Sequence, residues 1–217
     1  EEYRSDPKFT GLDSLEERLR QLRSPGPGLA QELAKKLAEG SFAKAGEILR
    51  ELEAKLKNGE LSAEQKQQLA DALKNLSQQL EKLAERKGQL EHELQKNGLD
   101  KNLAGDPAKL QEALEKSNLD EATKKKLLEM ARANQAACKS CQGLAKALSD
   151  AASAAASGTK DAEAGQAMCQ AAEQLSQLEA IRQQLDMAEA SMSELDKAIQ
   201  SLCQGSGCPF CQGQGCA

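Results

Sequence analysis

The chain has 217 residues, of which 39% are hydrophobic and 29% charged, and its formal net charge is −5. Valine and tryptophan are absent, and the aromatic residues are one tyrosine and three phenylalanines. β-Sheets are built mainly from β-branched and aromatic residues, whereas the abundant Leu, Ala, Gln, Glu and Lys are strong helix formers. The composition therefore excludes a sheet-based fold and predicts an all-α protein.

The charge is distributed unevenly along the chain. After residue 146 there are three basic residues and nine acidic ones, and no basic face is apparent anywhere. A nucleic-acid partner requires such a face, so none is expected. No apolar run approaches the roughly 20 residues needed to cross a bilayer. We therefore predict no membrane span within this chain.

Residues 1–60 are predicted to form a region of short helices. Residues 1–11 are expected to be extended. Three leucine-striped helices should follow, because apolar residues recur at helical spacing and are interrupted by the Pro/Gly-rich segment 24–28, by Gly40 and by Asn58-Gly59. Their stripes are Leu15, Leu19 and Leu22; then Leu29, Leu33 and Leu37; then Phe42, Ala45, Leu49, Leu52 and Leu56.

Three long helices are predicted over residues 61–202. The first should run from the N-cap Ser62, with Gln65 completing a capping box, to Asn97-Gly98. Its leucine seam alternates in steps of four and three, which is typical of coiled-coil-like packing, and Lys87 is its one break. A short insert follows, with Asp106 as N-cap and Pro107 at the first helical position.

The second and third long helices should start near Asp120 and Asp161 and form an antiparallel hairpin around the loop 157–160. The seam of the third helix is predicted to include Leu178, Leu185, Met192, Leu195, Ile199 and Leu202. The expected fold is an elongated bundle of three long helices with short N-terminal helices and an irregular Cys/Gly-rich C-terminal cap. The predicted divisions are 1–60, 61–202 and 203–217.

The C-terminal segment 203–217 is the part of the chain whose sequence does not favour a helix. Its four cysteines have the spacing C-x4-C-x2-C-x4-C, with glycines between them: Cys203, Cys208, Cys211 and Cys216. Three interpretations are open. Two disulfides could form in an oxidising compartment, four thiolates could bind zinc, or they could hold an iron–sulfur cluster. Disulfides would indicate an exported or cell-envelope protein, and zinc a cytoplasmic one.

Residues Cys208–Gly215, read as CPFCQGQG, resemble the CxxCxGxG unit of the cysteine-rich zinc domain of J-proteins (DnaJ type). That family uses four such units on β-hairpins, whereas this chain has one complete unit. The J-domain His-Pro-Asp triplet is absent. Cys203–Gly207 is similar to the second half of another unit, and Cys138–Gly143 to the first part of a third. The resemblance implies that Cys208 and Cys211 could be zinc ligands, and no family is recognised in the rest of the chain.

The remaining cysteines, Cys138, Cys141 and Cys169, lie on or beside helix seams, and Cys138 and Cys141 are interpreted as small buried apolar residues. Helix geometry places Cys141 and Cys169 beyond disulfide reach of each other. We expect the tail cysteines to be linked to one another in preference to these. The only histidine, His92, is expected to be a solvated surface residue.

The sequence contains no nucleophile elbow, phosphate loop or HExxH motif, so no enzymatic activity is predicted. An elongated helical body offers contact surface. We therefore expect a structural or scaffold protein, a helical interaction subunit that binds a protein partner or assembles with itself. The alternative is a small metal module in which the C-terminal cysteines bind zinc or an iron–sulfur cluster.

Overall fold

The computed structural model of the chain describes residues 6–25, 28–157 and 161–204. Of these residues 84% are helical, and none of them forms a strand. The all-α prediction is therefore confirmed for this part of the protein. No helix within these ranges is long and apolar enough to cross a membrane.

Eight α-helices follow one another along the described ranges, with one 3-10 helix, Lys101–Gly105, between the fifth and the sixth. They are α1 Pro7–Leu19, α2 Leu29–Ala38, α3 Phe42–Lys57, α4 Ala63–Ala84, α5 Gly88–Lys96, α6 Pro107–Glu115, α7 Glu121–Ala156 and α8 Asp161–Gln204. The two longest helices are α7, with 36 residues, and α8, with 44. Most of the shorter helices pack on one of them.

Several helices begin where the sequence predicts. The Ser62 side chain accepts a hydrogen bond from the Gln65 amide, and the Gln65 side chain accepts one from the Ser62 amide, so the capping box of α4 is confirmed. Asp106 accepts bonds from two amides at the start of α6, and Asp120 caps α7. These short-range bonds satisfy amide groups that have no partner inside the helix.

The start of the chain differs from the expectation of an extended segment over residues 1–11. Helix α1 already begins at Pro7, and the carbonyl of Asp6 accepts hydrogen bonds from the amides of Phe9 and Thr10. Proline favours the first position of a helix, because its fixed φ suits the helix and its missing N–H would have no partner there. The proline therefore starts a helix here.

The first long helix predicted from Ser62 to Gly98 is in fact two helices. Helix α4 ends at Ala84, and α5 begins at Gly88. Nη1 of Arg18, on α1, donates hydrogen bonds to the carbonyls of Leu83 at 3.1 Å and Ala84 at 3.3 Å. These carbonyls lie at the C-terminus of α4, where helix carbonyls lack partners and the helix dipole favours a cation.

Arg18 is buried, with 6% of its surface exposed. Burial is the main influence on its guanidinium and lowers its pKa. The guanidinium supplies the donors that the exposed end of a helix would obtain from water. The break in the predicted seam at Lys87 thus coincides with a real end of the helix, and that end is formed by a residue 65 positions away in sequence.

Two apolar clusters stabilise the fold. The larger is a leucine–alanine core shared by α1, α2, α3, α4, α7 and α8, so the short N-terminal helices pack directly on the long ones. The smaller joins α5, the 3-10 helix and α6 to the beginning of α7, through Leu90, Leu94, Ala104, Leu110, Leu114, Leu127 and Ala131. Separating α4 from α5 lets each pack in a different cluster.

Helix α1 packs closely against α7. A Cβ atom at Gly11 would lie 2.8 Å from Cβ of Ala136, which is shorter than any normal contact. Glycine facing alanine therefore allows the two backbones to approach. Deeper in the bundle, Oγ of Ser77 on α4 donates a buried hydrogen bond of 2.8 Å to the carbonyl of Ala145 on α7.

Replacing Arg18 with Met should lower the free energy of unfolding by about 1–3 kcal/mol. Met keeps most of the apolar length of the side chain, but it removes the Arg18 donor from the carbonyls of Leu83 and Ala84, while Leu83 keeps its hydrogen bond from the Arg86 amide. Arg20 is the matched control, because its side chain is 69% exposed. Arg20→Met should change stability by less than about 0.5 kcal/mol. Urea denaturation of both variants measures this, and equal stabilities would refute the role assigned to Arg18.

Candidate functional site

The C-terminal half of α8 leaves the bundle. Residues in its first half, such as Met168, Leu175 and Leu178, are buried in the main core. Further along, Met187 is 62% exposed, Leu195 62% and Ile199 57%. Exposed apolar side chains that are grouped together, unlike single scattered ones, are typical of an interaction surface.

The exposed residues continue a regular heptad pattern. Apolar residues recur at alternating steps of three and four: Leu178, Ile181, Leu185, Ala188, Met192, Leu195, Ile199 and Leu202. Leu178 is buried, and Ile181 and Leu185 pack against the main core. The next four positions, Ala188, Met192, Leu195 and Ile199, form what we call the C-terminal face of α8. This face has the spacing of a coiled-coil seam.

The predicted hairpin seam is therefore wrong in its second half. It placed Leu195 and Ile199 against the preceding helix, but both side chains are largely exposed. Counted from the loop, Arg182 stands opposite about residue 136 of α7, where Gly11 of α1 already lies against Ala136. Helix α1 thus packs on the part of α7 that a full-length hairpin would give to α8.

Polar contacts fix α8 just before it leaves the bundle. Arg182 donates a hydrogen bond to the carbonyl of Gly40 and forms an ion pair of 3.2 Å with Glu16. Burial raises the pKa of Glu16, and the charge of Arg182 opposes that rise. The Glu179 carboxylate accepts a hydrogen bond of 3.2 Å from the amide of Ala43, at the N-terminus of α3. The direction in which α8 projects is thereby set by both α1 and α3.

These anchoring residues could not be identified from the sequence. Glu179 and Arg182 contact residues more than 130 positions away. In sequence they are ordinary charged residues on a helix. Only the apolar heptad pattern gave a signal for the functional face itself, and it did not reveal whether that face is covered.

The four cysteines proposed as a cross-link or metal site receive little structural description. Cys203 lies in the last turn of α8, and nothing is described of its side chain. Cys208, Cys211 and Cys216 lie outside the described residues. The expected disulfide, zinc and iron–sulfur alternatives therefore remain predictions. The sequence places all four directly after the C-terminal face of α8.

The helix cysteines are free thiols in the structure: Cys138, Cys141 and Cys169. Cys141 is fully buried, and burial raises the pKa of its thiol to about 11. A hydrogen bond to the Glu53 carboxylate raises the pKa of Cys169. Both effects favour the neutral thiol over the reactive thiolate. Cys141 thus behaves as a small apolar core residue, as the sequence indicates, whereas Cys138 is only partly buried.

Two clefts flank the break between α4 and α5. The larger, of about 510 Å³, lies between that break, α1 and α7. Polar side chains that line this cleft are hydrogen-bonded to each other. Arg86 donates a hydrogen bond to Gln21, and Gln89 donates one of 2.8 Å to Glu17. The smaller, of about 230 Å³, is lined in part by Cys138. Within the described ranges no group of three His, Cys, Asp or Glu residues could hold a metal ion.

The only histidine, His92, is exposed on α5, as predicted. Asn134 of α7 is partly buried and lines both clefts, whereas His92 lines neither. The clefts therefore contain polar surface without an evident catalytic arrangement, and the C-terminal face of α8 is the stronger candidate site.

Comparison with known proteins gives no relative: no family model, curated protein or solved structure matches this chain.

Aspartate substitutions at Leu178 and Leu195 should have opposite consequences for folding, although the two leucines belong to one stripe. Leu178 is 9% exposed, so Leu178→Asp should destabilise the protein by about 3 kcal/mol or more, because a charge would be buried without a partner. Leu195 is 62% exposed, so Leu195→Asp should leave the fold intact. Thermal unfolding of dilute samples measures this, and equal losses for both variants would show that α8 packs along its whole length.

Proposed function

We propose that this chain is a structural assembly protein and that it binds a protein helix through the C-terminal face of α8. The observation that carries the proposal is the exposure of Leu195 and Ile199 at consecutive positions of a heptad seam that is buried at Leu178 and partly buried from Ile181 to Met192. A seam of this kind is complete only when a second helix covers it.

The energetics favour such a partner. Burying a large apolar side chain stabilises a complex by about 1.5–3 kcal/mol relative to leaving it in water. The helix that presents these side chains is continuous with the buried first half of α8. It therefore needs no new nucleation step, which is the costly part of forming a helix. A preformed helix loses less conformational entropy on binding than a segment that folds as it binds.

Contacts at the base of the projecting helix also support an assembly role. Arg182 and Glu179 attach α8 to two other helices immediately before the exposed stretch. The face is thus presented at a fixed angle to the bundle, as a docking element must be. In this proposal the bundle holds α8 in position, and the C-terminal face of α8 contacts the partner helix.

Photo-cross-linking in the cells of origin tests this proposal. A photoreactive amino acid at Leu195 should give a cross-linked protein, because this side chain would lie in the interface. The same group at Lys197 is the control, since Lys197 lies on the same turn of α8 but away from the heptad seam. Absence of any cross-linked product at position 195, or equal yields at both positions, would contradict the proposal.

The alternative function, a zinc or iron–sulfur module, rests on Cys203, Cys208, Cys211 and Cys216. No contact of these side chains is described, so it remains a prediction from the sequence. Elemental analysis of the purified chain, combined with a thiol count before and after reduction, distinguishes the metal from the disulfide interpretation. Either outcome is compatible with helix binding by α8.

A further inference from the structure

We infer that the protein bound by the C-terminal face of α8 is a second copy of this chain, aligned parallel and in register. The inference rests on the proposed function and adds the identity of the partner. It is carried by the residues at each heptad position of α8, by the charges beside the seam and by the end of the helix from which the tail continues.

The core positions of the seam suit a two-stranded parallel coil. The steps of three and four place Leu185, Met192 and Ile199 at the positions called a, and Ala188 and Leu195 at the positions called d. Leu202 falls at the next d position. A β-branched residue at a with leucine at d favours two parallel strands over three or four. The successive layers formed by Leu195 at d and Ile199 at a, the most exposed part of the seam, have this combination.

The residues that flank the seam permit parallel pairing. In a parallel coil, each position g of one helix faces position e of its partner. The g positions are uncharged, namely Gln184, Ser191 and Ala198, whereas the e positions include Glu189 and Asp196. No two like charges therefore face each other. Met187 lies at position c, outside the seam, and takes no part in this pairing.

Antiparallel pairing would bring like charges together. In that arrangement the e positions of one helix face the e positions of the other. Glu189 of one copy would then approach Asp196 of the second copy, and the same contact would recur by symmetry. Like charges facing each other destabilise a coil. The charge pattern thus favours the parallel orientation for a pair of identical helices.

The parallel orientation also explains the position of the cysteine-rich tail in the sequence. Cys203 falls at an e position at the end of α8, and 14 residues with three more cysteines follow it. Parallel helices bring the two tails to the same end of the assembly. The sequence segments with the four tail cysteines of each copy would then follow helices that end side by side.

Sedimentation equilibrium of the full chain in reducing buffer tests self-association without any disulfide contribution. The unmodified chain should be a dimer, and Leu195→Asp should weaken the dimer by at least about a hundredfold, because each copy would place a charge in a buried layer. Ala190→Asp is the matched control. It adds the same carboxylate on the exposed side of α8 away from the seam and should leave the dimer intact.

Orientation is tested with a photoreactive amino acid at Ala188 in an equal mixture of isotopically light and heavy chains. Mass spectrometry then identifies cross-links between copies. Parallel pairing in register predicts attachment near Leu185–Met192 of the second copy. Attachment near Ile199 would show antiparallel pairing and overturn the inferred orientation.

A monomeric chain at all concentrations would overturn the inference, as would a Leu195→Asp variant that dimerises as tightly as the parent. Neither result alone would overturn the proposed function. If the chain is monomeric but position 195 cross-links to a different protein in cells, the face binds a partner that is not itself. If position 195 gives no product in cells and the chain is monomeric, both proposals fail.

Discussion

The packing of α1 on α7 is the constraint on which the rest of the architecture depends. A Cβ atom at Gly11 would lie 2.8 Å from Cβ of Ala136, so the backbones of α1 and α7 are close together. From the same helix, Arg18 binds the last carbonyls of α4. Glu16 of α1 forms an ion pair with Arg182 of α8. Helix α1 therefore connects α7, the end of α4 and α8 at the point where the exposed half of α8 begins.

A core made almost entirely of leucine and alanine gains stability from burial, but it contains few side chains whose shape would specify one arrangement. The structure supplements it with polar contacts between distant helices. Ser77 donates to a carbonyl of α7, Arg18 donates to carbonyls of α4, and Arg182 connects α8 to Glu16 and Gly40. Each contact pairs a polar group of one helix with one particular partner outside that helix, so these bonds favour the observed register over similar packings.

Local features of this fold could be predicted from the sequence. Ser62, Asp106 and Asp120 each act on amides two or three residues away, so a short stretch of sequence contains the whole interaction. The end of α4 could not be predicted in this way, because its donor Arg18 lies 65 positions from Leu83. For Leu195 the heptad spacing correctly indicated an apolar stripe. Spacing specifies which side chains share a face, but it does not specify what covers them.

The candidate site was likewise only partly predictable. The sequence pointed to an interaction protein and to the cysteines after residue 202, and the tail beyond Gln204 lies outside the described structure. What the structure adds is a preformed apolar face immediately before that tail, attached to the bundle at Arg182 and Glu179. The exposed face and the cysteine cluster are therefore neighbours along the sequence. A parallel dimer would relate the two features, since it would bring the C-terminal ends of both α8 helices together.

Hydrogen exchange of the backbone amides of α8 reports whether the exposed half of this helix is covered by a second copy in the native protein. Amides over 188–199 should exchange slowly in concentrated protein and faster after about a hundredfold dilution, because the preformed helix loses its cover as binding shifts by mass action. Amides over 164–178, which belong to the main core, should remain protected in both samples and serve as the internal reference. Exchange over 188–199 that is the same at both concentrations, and as fast as in the Leu195→Asp variant, would contradict the account.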